Sequence, residues 1–409
     1  MIRVLAFSVC LVAGHAAGTL VDEVDPFIGV DGEGQTVPGA ALPFGFVRLS
    51  PDVTNNTASG YSTGVPVRGF SHNHVSGTGA GGKYGNFRVT PVTGPVRLDQ
   101  LHSAITNEVA RPGFYAATLT RWDVRAELTA TRLVGFHRYQ FPTNATGQLV
   151  LDVSSVVGDQ AALEAGVRIV APDRLEGTVR AEGGWNKGPY TLHFAAVFDQ
   201  PATAMSLWID GATRASKTAG SGKHVVATTQ FAGREVKVKV GLSFINPARA
   251  RANIEREIPD WDFEKMRTTA ARVWENLLGK MLVDGGTAEQ RRVFYSALYH
   301  AHFMPHDVTG ENVWWQSDAP HFEDYCAIWD TFRCTNPLWT LLEPRQARAM
   351  VQSLIDIGEH SGNWLPDARI AGNNGQTQGG SHGEVVIADQ NFGIRIKEII
   401  ARPEAAEGT

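Results

Sequence analysis

Between about residues 20 and 250 the chain alternates short apolar runs with clusters of Gly, Pro, Asp and Asn. Gln148–Val153, Arg168–Val170, Tyr190–Phe198, Ala204–Ile209, His224–Gln230 and Glu235–Phe244 have strand length, and several place apolar and polar residues alternately. Such runs, recurring every roughly 10–20 residues with no helical period between them, predict an antiparallel sandwich rather than a sheet of βαβ units. The pattern changes near Asn246-Pro247. From Asp260 to Leu282 the residues Phe263, Met266, Ala270, Val273, Leu277 and Met281 recur at three- and four-residue steps, a helical stripe. A second helix is predicted after Thr287, with Gln290 completing a capping box, running through Phe294, Leu298 and His302. Pro344 to Ile357 reads as a third, with proline in its first turn. The resulting division is a leader over 1–17, a β-sandwich over 18–250 and a helical region over 251–409.

Composition narrows the function classes. The chain is 43% hydrophobic and 19% charged, which excludes a disordered or fibrous protein. Its 37 basic and 42 acidic residues give a net charge of −5 without a basic stripe, which argues against nucleic acid and anionic membrane surfaces as partners. Arg3, the apolar stretch Val4–Val12 and the small residues Gly14 and Ala16 read as an export leader, too short to span a bilayer and so giving no membrane insertion. Export, to the periplasm or the medium, permits a disulfide, but Cys326 and Cys334 alone do not establish one. Asn55-Asn56-Thr57 and Asn144-Ala145-Thr146 match glycosylation sequons. The 43 Gly, 20 Pro and 10 Trp suit a loop-rich β architecture with aromatic platforms for ring-shaped polar ligands.

Several motifs carry candidate chemistry. Gly77 to Lys83 superficially matches phosphate-binding loops, but Tyr84 follows the lysine and Gly85 to Pro91 reads as a strand, so close approach of the backbone to another segment explains the glycines better. In an extended segment His72 and His74 project to one face, a spacing that suits a metal but more often a polar cleft. In Trp329-Asp330-Thr331-Phe332-Arg333, a helix would put Asp330 and Arg333 on one face with Trp329 beside them. A carboxylate and a guanidinium can jointly grip vicinal hydroxyls while an indole stacks on a hexose; the same residues equally suit an internal ion pair beside a core tryptophan. Trp314 and Trp315 add aromatic surface, at least one of them suiting a core. His382 and Glu384, after the Gly-rich stretch Gly372–Gly380, have no obvious third ligand nearby.

In order and spacing these blocks resemble the exported α-mannosidases of glycoside hydrolase family 92. The resemblance rests on Val24-Asp25-Pro26-Phe27-Ile28-Gly29, Pro38-Gly39-Ala40, Leu42-Pro43-Phe44-Gly45, Leu49-Ser50-Pro51-Asp52, Gly69 to Gly79, Trp329 to Arg333 and Asn336-Pro337-Leu338. It implies a two-domain fold: an N-terminal antiparallel β-sandwich followed by the first part of an (α/α)6 helical barrel, with the active site between them. It further implies calcium-assisted, exo-acting hydrolysis of α-mannoside glycans with inversion. Trp329, Asp330 and Arg333 would line the pocket for the terminal mannose, and His72 and His74 would face the cleft. His382 falls in a block where this chain has Ser381 and Gly383 instead of the family's Asp and Ala.

An inverting glycosidase needs an acid and a base roughly 6.5–9.5 Å apart. The family carries these, and most of the calcium site, in blocks after Ile387-Ala388-Asp389 that have no match here. Twelve helices of about 12 residues with connections of about five need on the order of 200 residues, against about 150 after the domain boundary. The expectation is therefore an α-mannosidase truncated at its C-terminus. A non-catalytic mannose-binding remnant and a glycosidase of another helical-barrel family are the alternatives.

Overall fold

A computed structural model describes residues 19–77, 81–213, 217–375 and 382–390; the expected leader lies outside them. Two antiparallel sheets face one another. The first has eight strands, with Arg48–Val53, Val67–Ser71, Arg88–Thr93, Gly147–Asp152, Val225–Phe231 and Ala204–Ile209 in that spatial order between two short edge strands. The second has nine, running from the edge strand Ala219–Gly222 through Gln160–Ala171, Arg174–Gly183, Tyr190–Phe198, Glu235–Ser243, Val134–Gln140, Val124–Ala130 and Phe114–Leu119 to Ile105–Arg111. Their inner faces enclose one core that includes Phe70, Phe87, Tyr115, Tyr139, Phe194 and Phe231.

Two predicted strands, Tyr190–Phe198 and Ala204–Ile209, occur with those bounds. Arg168–Val170 is the end of a twelve-residue strand whose residues are mostly half-buried or exposed, so its hydrophobic signal is weak. The strand expected over Gly85 to Pro91 instead spans Arg88–Thr93, passing through Pro91, whose φ suits extended backbone.

Helices cover the outside of the second sheet and one end of the sandwich. Helix α1 (Leu20–Glu23) is held by Glu275, whose two carboxylate oxygens accept from the Leu20 and Val21 amides at 3.0 Å each. Helix α2 (Pro247–Glu257) starts where Asn246 accepts from the Arg249 amide, and lays Ala250 and Ile254 on Val134, Phe136 and Ala195. Helix α3 (Phe263–Leu278) is shorter than the apolar stripe suggested, because Asp262 caps its start and Gly279 follows its last turn. Its buried positions are Phe263, Ala270, Trp274, Leu277 and Leu278, while Val273 is exposed. Helix α4 (Ala288–His300) carries the predicted capping box. Beyond it, α5 (Ile328–Thr331), α6 (Thr335–Leu342), α7 (Pro344–His360) and a helix over 382–390 share a core of Phe44, Tyr325, Trp339, Met350, Leu354 and Val386. An N-terminal β-sandwich thus leads into a helical region, as the family resemblance implied.

Candidate functional site

The sandwich and the helices meet around buried charge. Arg48, fully buried at the start of its strand, donates to the Phe303 and His74 carbonyls and lies 2.8 Å from His306 Nε2. Arginine is a donor only, so His306 Nε2 must accept and its Nδ1 proton points to Asp324. Asp324 also accepts from the Tyr84 hydroxyl at 2.7 Å and from the Ala371 amide at 3.1 Å. Burial lowers the Arg48 pKa to about 10, against the pull of Asp324. Burial, together with Arg48, pushes His306 below its ordinary value and keeps the bridging imidazole neutral.

Beside this lies a second buried set. Burial would raise the Glu323 pKa, but the Arg369 guanidinium, His321 and the Gly372 amide together hold it below the ordinary value. Arg369 Nε donates to Glu323 at 2.7 Å, with its guanidinium over the rings of Trp314 and Trp315. Both tryptophans therefore serve packing: Trp314 stacks on His321, and Trp315 stacks on His360 while donating to Asp356.

A cavity of about 310 Å³ opens at this junction. Thr36, Ser76 and Gly77 line it from the sandwich side; the end of α4, the Asp324–Thr331 segment, Asn336 and Trp339 line it from the other. Two non-glycine residues of its wall, Asp324 and Ala327, hold left-handed backbone with φ of 64° and 54°. That strain is maintained by hydrogen bonds from Arg369 N to the Tyr325 carbonyl and from Ile328 N to the Asp367 carbonyl, each 3.0 Å. The result is the abrupt entry into α5 that carries Asp330 to the cavity wall.

Of the sequence-derived candidates, Asp330 lines the cavity. Its α5 helix ends at Thr331, so Arg333 follows in a turn, exposed, with its guanidinium 5.2 Å from the Phe332 ring. Among the described residues no ion pair joins Asp330 and Arg333, which removes the internal-pair reading. Trp329 meets Trp185 of the sandwich, ring centroids 6.4 Å apart, both indoles half-buried. His382 packs on Phe332 at 4.6 Å, behind this block rather than in the cavity wall.

His72 and His74 correct the expectation of a cleft-facing pair. Both are fully buried, and every ring nitrogen is engaged. His72 bonds the Phe87 carbonyl and His137 Nε2, each at 2.9 Å; His74 bonds the Arg48 carbonyl at 2.8 Å, and Asp52 and Ser71 at 2.9 Å. The extended spacing gave the shared direction, but that direction is into the protein. Sequence reasoning missed Tyr84, His306 and Asp324, whose only signal was polar character among apolar neighbours.

The glycine-rich segment behaves as its sequence suggested. A side chain on Gly82 would strike the Ala58 carbonyl. Lys83 turns inward and donates to the Gly183, Asn186 and Gly188 carbonyls at 2.9–3.1 Å, pinning the loop that bears Trp185. Burial lowers its pKa to about 8. Residues 78–80 lie outside the described set, as does the 376–381 segment. Cys326 and Cys334 are free thiols.

Calcium takes six to eight oxygen ligands, typically including carboxylates. Among the described residues no group of three or more His, Cys, Asp or Glu converges on a point. Asp324, on the cavity wall, already has both oxygens in hydrogen bonds. The described residues do not fit a calcium cage.

Comparison with known proteins agrees with this layout. A solved GH92 α-mannosidase of Bacteroides thetaiotaomicron, in complex with mannoimidazole, is 27% identical and superposes with a TM-score of 0.85, covering 92% of this chain and 53% of its own. A GH92 inverting mannosidase of the same organism, 23% identical with a TM-score of 0.80 over 96% of this chain and 57% of its own, shares the fold. These likenesses define a sandwich-plus-helix architecture of the glycoside hydrolase kind. The glycosyl hydrolase family 92 N-terminal domain matches residues 23–243 and the family's catalytic domain residues 249–399, so the chain belongs to glycosyl hydrolase family 92. An "uncharacterized secreted glycosidase" of Arthroderma benhamiae is 33% identical over 94% of this chain and 51% of its own. The chain spans about half the length of these relatives.

Proposed function

We propose that this chain supplies the mannose-binding end of an exported, exo-acting α-mannosidase that releases terminal mannose from glycans with inversion. The observation that carries the reading is the placement of Asp330, free of any ion pair among the described residues, on the wall of the junction cavity. A cavity of about 310 Å³ suits one terminal sugar at the small end of ligand pockets. Asp330 accepts hydrogen bonds from vicinal hydroxyls, and the exposed Arg333, three residues on, donates to them. The Trp329–Trp185 pair offers an apolar face to the neighbouring sugar. Export is supported by the apolar leader and by the secreted relative.

Binding and orientation are the tasks assigned to these residues; acid and base are assigned to carboxylates outside the described set. The calcium that the family resemblance implies enters no step here. One observation favours the binding-only reading: Asp324, the other carboxylate lining the cavity, has both oxygens already held by Tyr84, the Ala371 amide and His306.

Calorimetric titration with mannoimidazole tests the proposal. The chain is expected to bind it, and Asp330→Ala or Arg333→Ala to weaken binding by about 1.5–3 kcal/mol, the worth of a hydrogen bond to a charged group. No binding by the unaltered chain sinks the reading. Proton NMR on α-1,2-mannobiose then separates the alternatives: β-mannose appearing first supports inversion, binding without turnover selects the binding-only protein, and cleavage of other glycosides alone points to a different helical-barrel hydrolase.

A further inference from the structure

We propose that His300 is a sugar-contacting residue of the junction cavity, sharing a hydrogen bond with a hydroxyl of the bound mannoside. This rests on the reading that the cavity takes a mannoside, and adds to it a residue that no motif singled out.

His300 is the last residue of α4 and lines the cavity. Both of its ring nitrogens are shielded from solvent and neither has a hydrogen-bond partner of normal geometry, although the Ile28 carbonyl lies near enough to favour a proton on the ring. His72, His74 and His306 each use both ring nitrogens, and the buried His302 and His321 each leave one unpaired; His300 is the one of these with neither in a hydrogen bond of normal geometry that also lines the cavity. Burying a polar group without a partner costs free energy, so such a group at a cavity wall marks where a ligand atom would restore the lost bonds.

Orientation and protonation suit a hydroxyl. The ring packs edge-on against Tyr299 at 5.2 Å and Phe303 at 5.3 Å, which fixes its plane. Burial, reinforced by Arg48 and only partly opposed by the Ile28 carbonyl and Asp25, lowers its pKa to about 4. A neutral imidazole has one donor nitrogen and one acceptor nitrogen, and a hydroxyl can satisfy either. Thr36, Ser76 and Asn336 add neutral polar groups around the same space. A metal is the poorer occupant, since no group of three ligating side chains forms among the described residues.

Calorimetry with mannoimidazole on the whole chain decides the matter, using His300→Phe, His300→Ala and His300→Gln beside Asp330→Ala. Phe and Ala remove both hydrogen-bonding nitrogens and are expected to lower affinity at least tenfold. Gln retains a donor and an acceptor and is expected to recover most of that loss. The thermal midpoint of His300→Phe should equal or exceed that of the unaltered chain, because it removes two unpaired polar atoms. If Phe and Ala bind as tightly as the unaltered chain while Asp330→Ala does not, this inference is overturned and the mannoside reading stands. If the unaltered chain binds no mannoimidazole, both fall together.

Discussion

His72 and His137 have their protons fixed by their partners. His72 Nδ1 donates to the Phe87 carbonyl, so its Nε2 accepts from His137 Nε2, and His137 Nδ1 must then accept from the Tyr139 hydroxyl at 2.7 Å. A further proton on His72 would put two donors face to face. Burial agrees, lowering His72 to about 3 and His137 well below its ordinary value. The unfolded chain therefore binds protons that the folded one refuses. This contribution is fully present above pH about 6.5 and drains away as pH falls toward 3, at up to about 1.4 kcal/mol per pH unit for each histidine. His137→Gln should flatten the dependence of unfolding free energy on pH between 6.5 and 4.5; an unchanged slope in urea titrations would refute the assignment. The His-x-His spacing was legible in the sequence. What the rings meet was not, since Phe87 and His137 stand 15 and 65 residues away.

Among the helices, α3 shows how an apolar stripe can be nearly right. The three- and four-residue steps correctly gave a helix, and counted Val273 on the buried face. The fold instead turns Trp274 inward, fully buried, with its indole N–H donating to the Ala41 carbonyl at 2.7 Å. That bond seats α3 on the edge of the first sheet, and a tryptophan wins the position because it both fills more volume and satisfies an edge carbonyl. Trp274→Ala is expected to cost about 3–5 kcal/mol by denaturant unfolding. Val273→Ala, at an exposed position, should stay within about 0.5 kcal/mol. Equal losses would restore the original stripe. The capping box at Thr287 was readable because it is local: its two hydrogen bonds join residues three apart. The α2 helix was not, because its helical face is set by the sheet it covers.

Across the whole molecule, Arg48, His306 and Asp324 join a strand near the start of the chain to segments more than 250 residues later. Removing one member of a buried charged set leaves the others unpaired. Arg48→Met should therefore cost about 3–5 kcal/mol, since Asp324 would lose its buried counter-charge. Because the link spans both halves, the unaltered chain is expected to unfold in one calorimetric transition and Arg48→Met in two. A single transition at an unchanged midpoint would show that the link does not couple them.

Local order is what the chain wrote plainly: strand alternation, helix starts, the polarity change near Asn246-Pro247, and the block from Trp329 to Arg333. These depend on contacts a few residues apart or on backbone preference. The tertiary structure alone decided that His72 and His74 point inward, that Asp330 reaches the cavity wall while Arg333 is exposed and outside that lining, and that His300 lacks hydrogen-bond partners of normal geometry. Each of those outcomes depends on burial against distant segments, which sets whether a polar group finds a protein partner or waits for a ligand.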